Sequence, residues 1–249
     1  MIIGGLQKTS LTDYPGKVSA IVYTQGCNFR CGFCYNPELV GPPSPRLRGV
    51  SAPFDRAQGR SLRESEFFDF LKLRRGKLDA VVVTGGEPTI HKDLPEFIKK
   101  IKDAGFEVGL YTNGTNPEML KYLVEEELVS FVSMDVKTQL SIINYQLATG
   151  VKMTDEDLNR IRESVKLLME SGIDYRIATT VVRDLATLDD VRVLARQIEG
   201  VREFVIQPIV KTEKMLDNKY KDSKLYSTDE LVKLQQEIKH CFSECNIRN

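Results

Sequence analysis

Val18-Ser-Ala-Ile-Val-Tyr-Thr24-Gln-Gly-Cys27-Asn-Phe-Arg-Cys31-Gly-Phe-Cys34-Tyr-Asn36 joins a short apolar, β-branched run to a loop holding three of the five cysteines. The run reads as a buried parallel strand, so the cysteines leave from its C-terminal end. Three thiolates spaced Cys-x3-Cys-x2-Cys can converge on one soft metal centre. They are one short of the four that close a structural zinc site or fill an ordinary cubane, which implies a vacant coordination position. A zinc site completed by Cys241 or Cys245 is the competing reading, although zinc knuckles favour two matched Cys-x2-Cys pairs.

Outward from that loop, helical and strand patterns alternate from Ser65 onward. Further strands are expected at 79–84, 106–112, 129–134, 173–182 and 201–206. They are separated by helices bearing Phe67/Phe70/Leu71, Phe97/Ile98/Ile101, Leu120/Leu123/Val124, Leu158/Ile161/Val165/Leu168 and a run from Thr187 to Glu199. Asp93, Asn116, Thr154 and Ser227 are placed to start helices, and Thr154 with Asp157 spells a capping box. Residues 4–17 read as a Gly/Thr/Ser-rich turn into the first strand. Six strand–helix units with right-handed crossovers predict an α/β fold, a partial (β/α)6 TIM-type barrel, in which function sits at the C-terminal ends of the strands. The cysteine loop, Gly85-Gly86-Glu87-Pro88, Thr112-Asn113-Gly114, Asp135-Val-Lys137 and Gln207 each follow a strand, and Arg176 lies within one. Taken singly, Gly-Gly-Glu-Pro and Thr-Asn-Gly would pass for ordinary strand-to-helix turns.

The chain has 249 residues, 41% hydrophobic and 28% charged, which suits a full buried core and predicts a single domain over 1–249. Lys+Arg and Asp+Glu each total 35, so no global field recruits nucleic acid or an anionic membrane. The opening residues carry no leader pattern and no stretch is long enough to span a membrane, so a cytoplasmic protein with reduced thiols is expected. Residues 41–60 hold four of the ten prolines and four arginines with no helix or strand period. They read as a mobile basic insertion, with a partner-touching arm as the alternative. A last helix is expected over about 227–242, with Cys241 on its apolar face and Cys245 frayed beyond it.

The cysteine motif, with Phe33 before its last cysteine and Gly-Gly-Glu-Pro after the next strand, resembles the radical S-adenosylmethionine (SAM) superfamily. More narrowly, Gly4-Gly-Leu-Gln-Lys-Thr-Ser-Leu-Thr-Asp-Tyr-Pro-Gly16 and Cys34-Tyr-Asn-Pro-Glu38 are similar to activating proteins of anaerobic ribonucleoside-triphosphate reductase. Those are relatives of the pyruvate formate-lyase activases. The similarity covers about residues 1–40 and 64–211, leaving the Pro/Arg-rich insertion outside.

The resemblance implies that Cys27, Cys31 and Cys34 hold three irons of a [4Fe–4S] cluster whose fourth iron chelates SAM. Reductive cleavage of SAM then yields a radical that takes a hydrogen atom from a glycine of a partner glycyl-radical enzyme. It further implies SAM contacts from Gly85, Gly86, Glu87, Asn113, Asp135, Lys137, Arg176 and Gln207. The glycines would let backbone carbonyls approach the methionine ammonium, with Glu87 adding charge or orienting the loop. The formate-lyase activases carry an acidic residue where Tyr111 stands, beside a small cation. No ferredoxin-like insertion is present, so an external donor such as a flavodoxin or ferredoxin is implied, in an anaerobic setting. A formate-lyase-type activase, a small-molecule radical SAM enzyme such as a deazapurine-forming one, and a non-catalytic iron–sulfur or zinc module are the alternatives.

Overall fold

The computed structural model describes residues 1–41 and 62–248, so all but the first residue of the 41–60 insertion lies outside the described residues. The chain forms two compact units, one of Met1–Asn28, Asn36–Thr112 and Tyr122–Val132, the other of Phe29–Tyr35, Asn113–Lys121 and Ser133–Asn249.

In the first unit, β1 (Ile3–Ser10) runs antiparallel to β2 (Ser19–Thr24), and β2, β3 (Ala80–Gly85) and β4 (Glu107–Thr112) follow as parallel neighbours. The strand β1 corrects the turn expected over 4–17. Register shifts after Ile3 and Gln7 break its alternation of buried and exposed side chains, which hides the two-residue period. Tyr14, from the hairpin between β1 and β2, packs with Ile21, Ala80, Val82 and Phe131, and its hydroxyl donates to Glu107 Oε2 at 3.0 Å. Gly109 makes room for that ring, since a Cβ there would stand 3.1 Å from it. Helices α1 (Pro37–Val40), α2 (Glu64–Leu73) and α3 (Leu94–Asp103) cover this sheet. Phe67 of α2 stacks on Phe97 of α3 with centroids 5.5 Å apart. Asp93 heads α3 without a side-chain capping bond, because its carboxylate is taken by the Met1 amine. The helix α4 (Pro117–Glu125) starts where expected, Asn116 Oδ1 accepting from Met119 N at 3.2 Å.

β5 (Phe131–Asp135) begins in the first unit and ends in the second. There β6 (Asp174–Val181), β7 (Glu203–Pro208) and β8 (Glu244–Ile247) are parallel and follow one another in chain order. β8 corrects the frayed end expected around Cys245, which pairs opposite Phe204. The helices are α5 (Ile142–Thr149), α6 (Asp155–Glu170), α7 (Leu188–Gln197) and α8 (Thr228–Ile238). Capping boxes at Thr154, Thr187 and Ser227 start the last three. α5 is an addition to the expected elements, since its β-branched opening Ile-Ile obscures a helix closed by Ser141 and a left-handed Gly150. The result is the expected α/β fold, with each described crossover strand parallel to its neighbour.

Candidate functional site

The start of the cysteine loop is built entirely from first-unit backbone. Gly26 N donates to Leu39 O at 2.7 Å and Cys27 N to Val40 O at 3.2 Å. Gly86 N and Glu87 N return bonds to Thr24 O and Gly26 O at 2.9 and 2.7 Å. Side chains on Gly85 or Gly86 would run into the backbone of Thr24 or Gly26, and Gly85 sits at φ +121°. Those glycines are therefore demanded by the packing of two loops against each other, a reason the sequence alone did not give. Glu87 is 1% exposed, and its Oε1 accepts from Thr89 N, Thr89 Oγ1 and Thr112 Oγ1 at 3.0, 2.6 and 2.6 Å. It anchors Gly-Gly-Glu-Pro to the end of β4. Tyr111 turns away into the Tyr14–Phe131 aromatics, its hydroxyl donating to Asp13 O at 2.6 Å.

In the second unit, residues 29–35 are held from two directions. Leu216 N and Asp217 N donate to Cys34 O and Gly32 O at 3.1 and 2.8 Å, and Phe33 meets the Tyr220 ring edge-on at 6.3 Å. A side chain on Gly32 would collide with that ring. On the other flank Arg30 N donates to Thr149 O at 2.7 Å. This clamp of 216–220 and α5 escaped sequence reasoning. Its signal was faint: a small residue, Gly32, inside the cysteine motif and two aromatics, Phe33 and Tyr220, far apart in the chain.

Lys137 Nζ donates to Asp135 Oδ2 at 2.7 Å just past β5, while Asp135 Oδ1 is buried without a partner. Burial disfavours the Lys137 ammonium, but the facing Asp135 carboxylate and Cys31 sulfur outweigh it and hold its pKa above the ordinary lysine range. Lys137 N donates to the buried Tyr145 hydroxyl at 3.2 Å, which fixes the backbone of this turn. Asn113 folds its Oδ1 back onto Thr115 N and Oγ1 at 3.1 and 2.7 Å, an Asx turn. Arg176 is 7% exposed and its Nε donates to Ser133 Oγ at 3.0 Å, both side chains lying within the neighbouring strands β5 and β6. Gln207 pairs opposite Thr180 near the end of β7.

Cys27 and the Gly85–Glu87 loop thus meet in the first unit, whereas Cys31, Cys34, Asp135 and Lys137 belong to the second. Among the described residues no three His, Cys, Asp or Glu side chains stand close enough together to hold a metal ion. Cys31 is buried and Cys27 and Cys34 half-buried. By their chemistry the three thiols, soft donors spaced Cys-x3-Cys-x2-Cys, fit an iron–sulfur cluster, and within the second unit the orphaned Asp135 Oδ1 beside the Lys137 ammonium fits a zwitterionic amino-acid ligand. Zinc completed from the far end of the chain lacks such support. Cys241 O accepts from Gly200 N within the α7–α8 packing, and Cys245 is committed to β8. No helix among the described residues is long and apolar enough to cross a membrane.

The family model of the Radical SAM superfamily matches residues 21–198. A Methanocaldococcus jannaschii protein named for a supposed glycyl-radical enzyme activating role is 26% identical over 99% of this chain and 95% of its own length. The 7-carboxy-7-deazaguanine synthase of Thermococcus kodakarensis is 24% identical over 78% of this chain and 75% of its own. Among solved structures, Streptococcus suis SuiB, crystallised with S-adenosylmethionine, superposes with a TM-score of 0.61 at 16% identity over 91% of this chain. The chain spans about half, 49%, of SuiB, and the likeness supports the fold as that of a partial TIM-type barrel.

Proposed function

The chain belongs to the radical SAM superfamily, and from that premise we propose that it is a glycyl-radical enzyme activase whose protein substrate is an anaerobic ribonucleoside-triphosphate reductase. It is an enzyme, and its cofactors are the superfamily's [4Fe–4S] cluster and SAM. The observation that carries the activase reading is the end-to-end relation to the M. jannaschii protein, which extends beyond the family model at both ends.

Cys27, Cys31 and Cys34 would hold the cluster. When bound, the cluster supplies one electron to SAM, whose broken carbon–sulfur bond starts hydrogen-atom removal from a glycine. The remaining work belongs to the chain. The backbone of Gly85 and Gly86, kept in place by Glu87, would receive the amino-acid end of SAM. Lys137 keeps its charge through the Asp135 pair and so attracts a carboxylate, while Asp135 Oδ1 accepts from an amine or hydroxyl. Asn113 and Gln207, near strand ends, and Arg176, within β6, would contact SAM's polar groups. An external flavodoxin or ferredoxin delivers the electron in an anaerobic cytoplasm.

The test is anaerobic. The cluster is reconstituted and reduced, SAM and the reductase of the same organism are added, and an electron paramagnetic resonance spectrum is recorded while 5′-deoxyadenosine is assayed. A glycyl-radical doublet on the reductase is the expected result. Deoxyadenosine without a doublet on that reductase refutes the partner, and formate-lyase-type enzymes are then tried. The relation to a 7-carboxy-7-deazaguanine synthase supports a second reading, action on a small molecule. It predicts deoxyadenosine that rises with a metabolite and no doublet on any glycyl-radical enzyme.

A further inference from the structure

The polar side chains of β5 to β8 gather on one face of the second unit's sheet. Arg176 Nε reaches Ser133 Oγ at 3.0 Å, so these two share a face, and by the two-residue alternation of strands Asp135 joins Ser133 and Thr180 joins Arg176. Val136 N donates to Ala178 O at 2.9 Å, which ties the end of β5 to β6. Gln207 stands opposite Thr180 in the register of β6 and β7. The register of β7 and β8 pairs Ile206 with Ile247, and Arg248 N donates to Ile206 O at 3.0 Å. The ladder therefore continues one step and sets Arg248 opposite Gln207. Met134, Ile177, Phe204 and Ile206 alternate to the other face, where all four are completely buried. Nothing in the sequence marks Arg248; the pairing of β8 brings it to this edge.

We propose that Arg248 binds the protein substrate, donating to peptide carbonyl oxygens of the segment that carries the target glycine. This rests on the activase reading argued above. SAM carries a single carboxylate, and Lys137, held beside Asp135 at 2.7 Å, is the cation placed for it. Arg248 stands three strands further along the sheet, about 14 Å away at ordinary strand spacing, so its guanidinium serves a different acceptor. β8 ends the strand order, and Arg248 is half-buried at its C-terminal end, where a loop of another protein can reach it. A glycine offers no side chain to grip, so the segment presenting it has to be held through its peptide groups. A guanidinium has five N–H donors in a planar fork and no acceptor, which suits successive carbonyl oxygens. Arg248 is in this sense a substrate-binding residue, one strand beyond Gln207.

The experiment uses the reconstituted holoenzyme and the anaerobic ribonucleoside-triphosphate reductase of the same organism. Glycyl-radical formation is followed by electron paramagnetic resonance at increasing reductase concentration, and SAM affinity is measured separately by equilibrium binding. Arg248→Ala is expected to raise the KM for the reductase about tenfold, the loss that one charge-assisted hydrogen bond carries, while kcat and the dissociation constant of SAM stay as in the wild type. Arg248→Lys keeps the charge and loses the planar fork, so most of that rise is expected to remain. If Arg248→Ala does not fold, Arg248→Lys decides the matter alone. An unchanged KM in a folded variant overturns the proposal. A weakened SAM affinity also overturns it, by assigning Arg248 to SAM, and so does full recovery in Arg248→Lys, which makes the partner a carboxylate held by charge alone. Wild-type enzyme that raises no doublet on the reductase sinks the activase reading and this proposal with it, whereas a normal wild-type doublet with an unmoved KM sinks only the role of Arg248.

Discussion

Gly86 shows how a motif residue can serve the scaffold and the chemistry through one constraint. Its missing side chain lets the Gly-Gly-Glu-Pro loop lie against the Gly26 carbonyl, immediately before Cys27. Gly86→Ala forces these two backbones apart, since neither neighbour is a flexible side-chain end. Overpacking of this kind costs about 1–3 kcal/mol, and thermal unfolding is expected to show that loss. Iron uptake is expected to drop with it, because the displaced carbonyl leads directly into the first cysteine. Tyr111 gives the opposite case. Its hydroxyl is bonded to the Asp13 carbonyl at 2.6 Å and its ring meets Phe131 edge-on at 6.4 Å, so it works as a brace of the first unit. Tyr111→Phe is expected to cost about 1 kcal/mol of stability and leave the equilibrium dissociation constant of SAM unchanged. A weakened SAM affinity at normal stability would give Tyr111 a part in the site that its geometry does not support.

At the level of elements, the turn after β5 is held less by its own residues than by α7. Asp190, 8% exposed near the start of α7, accepts from Gln139 Nε2 and Asn144 Nδ2 at 2.6 and 2.8 Å while also closing the Thr187 capping box. Asp190→Ala therefore strips several charge-assisted bonds at once and is expected to destabilise by on the order of 3 kcal/mol. Thr154→Ala, which removes only the cap of α6, is expected to cost about 1 kcal/mol. Chemical denaturation of the two variants checks the ratio; equal losses would mean that Asp190 acts as a cap alone. The capping box at Thr154 was legible in the sequence because a cap is a local event, spelled by residues three apart. So were the six buried strands β2 to β7 and most of the helices between them, whose periods survive in the chain. β1, α5 and β8 were not. β1 hides its alternation behind two bulges, α5 opens with β-branched residues, and β8 is a four-residue edge whose identity comes from pairing with β7. The site divides in the same way. Cysteine spacing and strand-end motifs stood out, whereas the 216–220 clamp and Tyr145 depend on contacts between residues far apart in sequence.

For the molecule as a whole, equal totals of 35 basic and 35 acidic side chains leave no long-range field to choose a partner. Recognition must then come from local surface and from the chemistry at the strand ends. The distribution of thiols makes a sharper expectation. All five cysteines are soft donors and composition does not rank them, but their surroundings do. Cys31 is buried beside Lys137 and α5, at the centre of the loop that the fold clamps from two flanks. Burial pushes the Cys245 thiol up to about 11 and raises that of Cys241, which keeps both protonated and poor as metal ligands near neutral pH. Cys31→Ala is accordingly expected to lose the cluster and all SAM cleavage. The double variant Cys241→Ser, Cys245→Ser is expected to retain about four irons per chain, as a single [4Fe–4S] cluster requires. Iron and sulfide analysis after anaerobic reconstitution, paired with a deoxyadenosine assay, reads both. Iron lost from the double variant while its unfolding temperature is unchanged would bring the C-terminal thiols into the metal site and revive the reading in which they complete it.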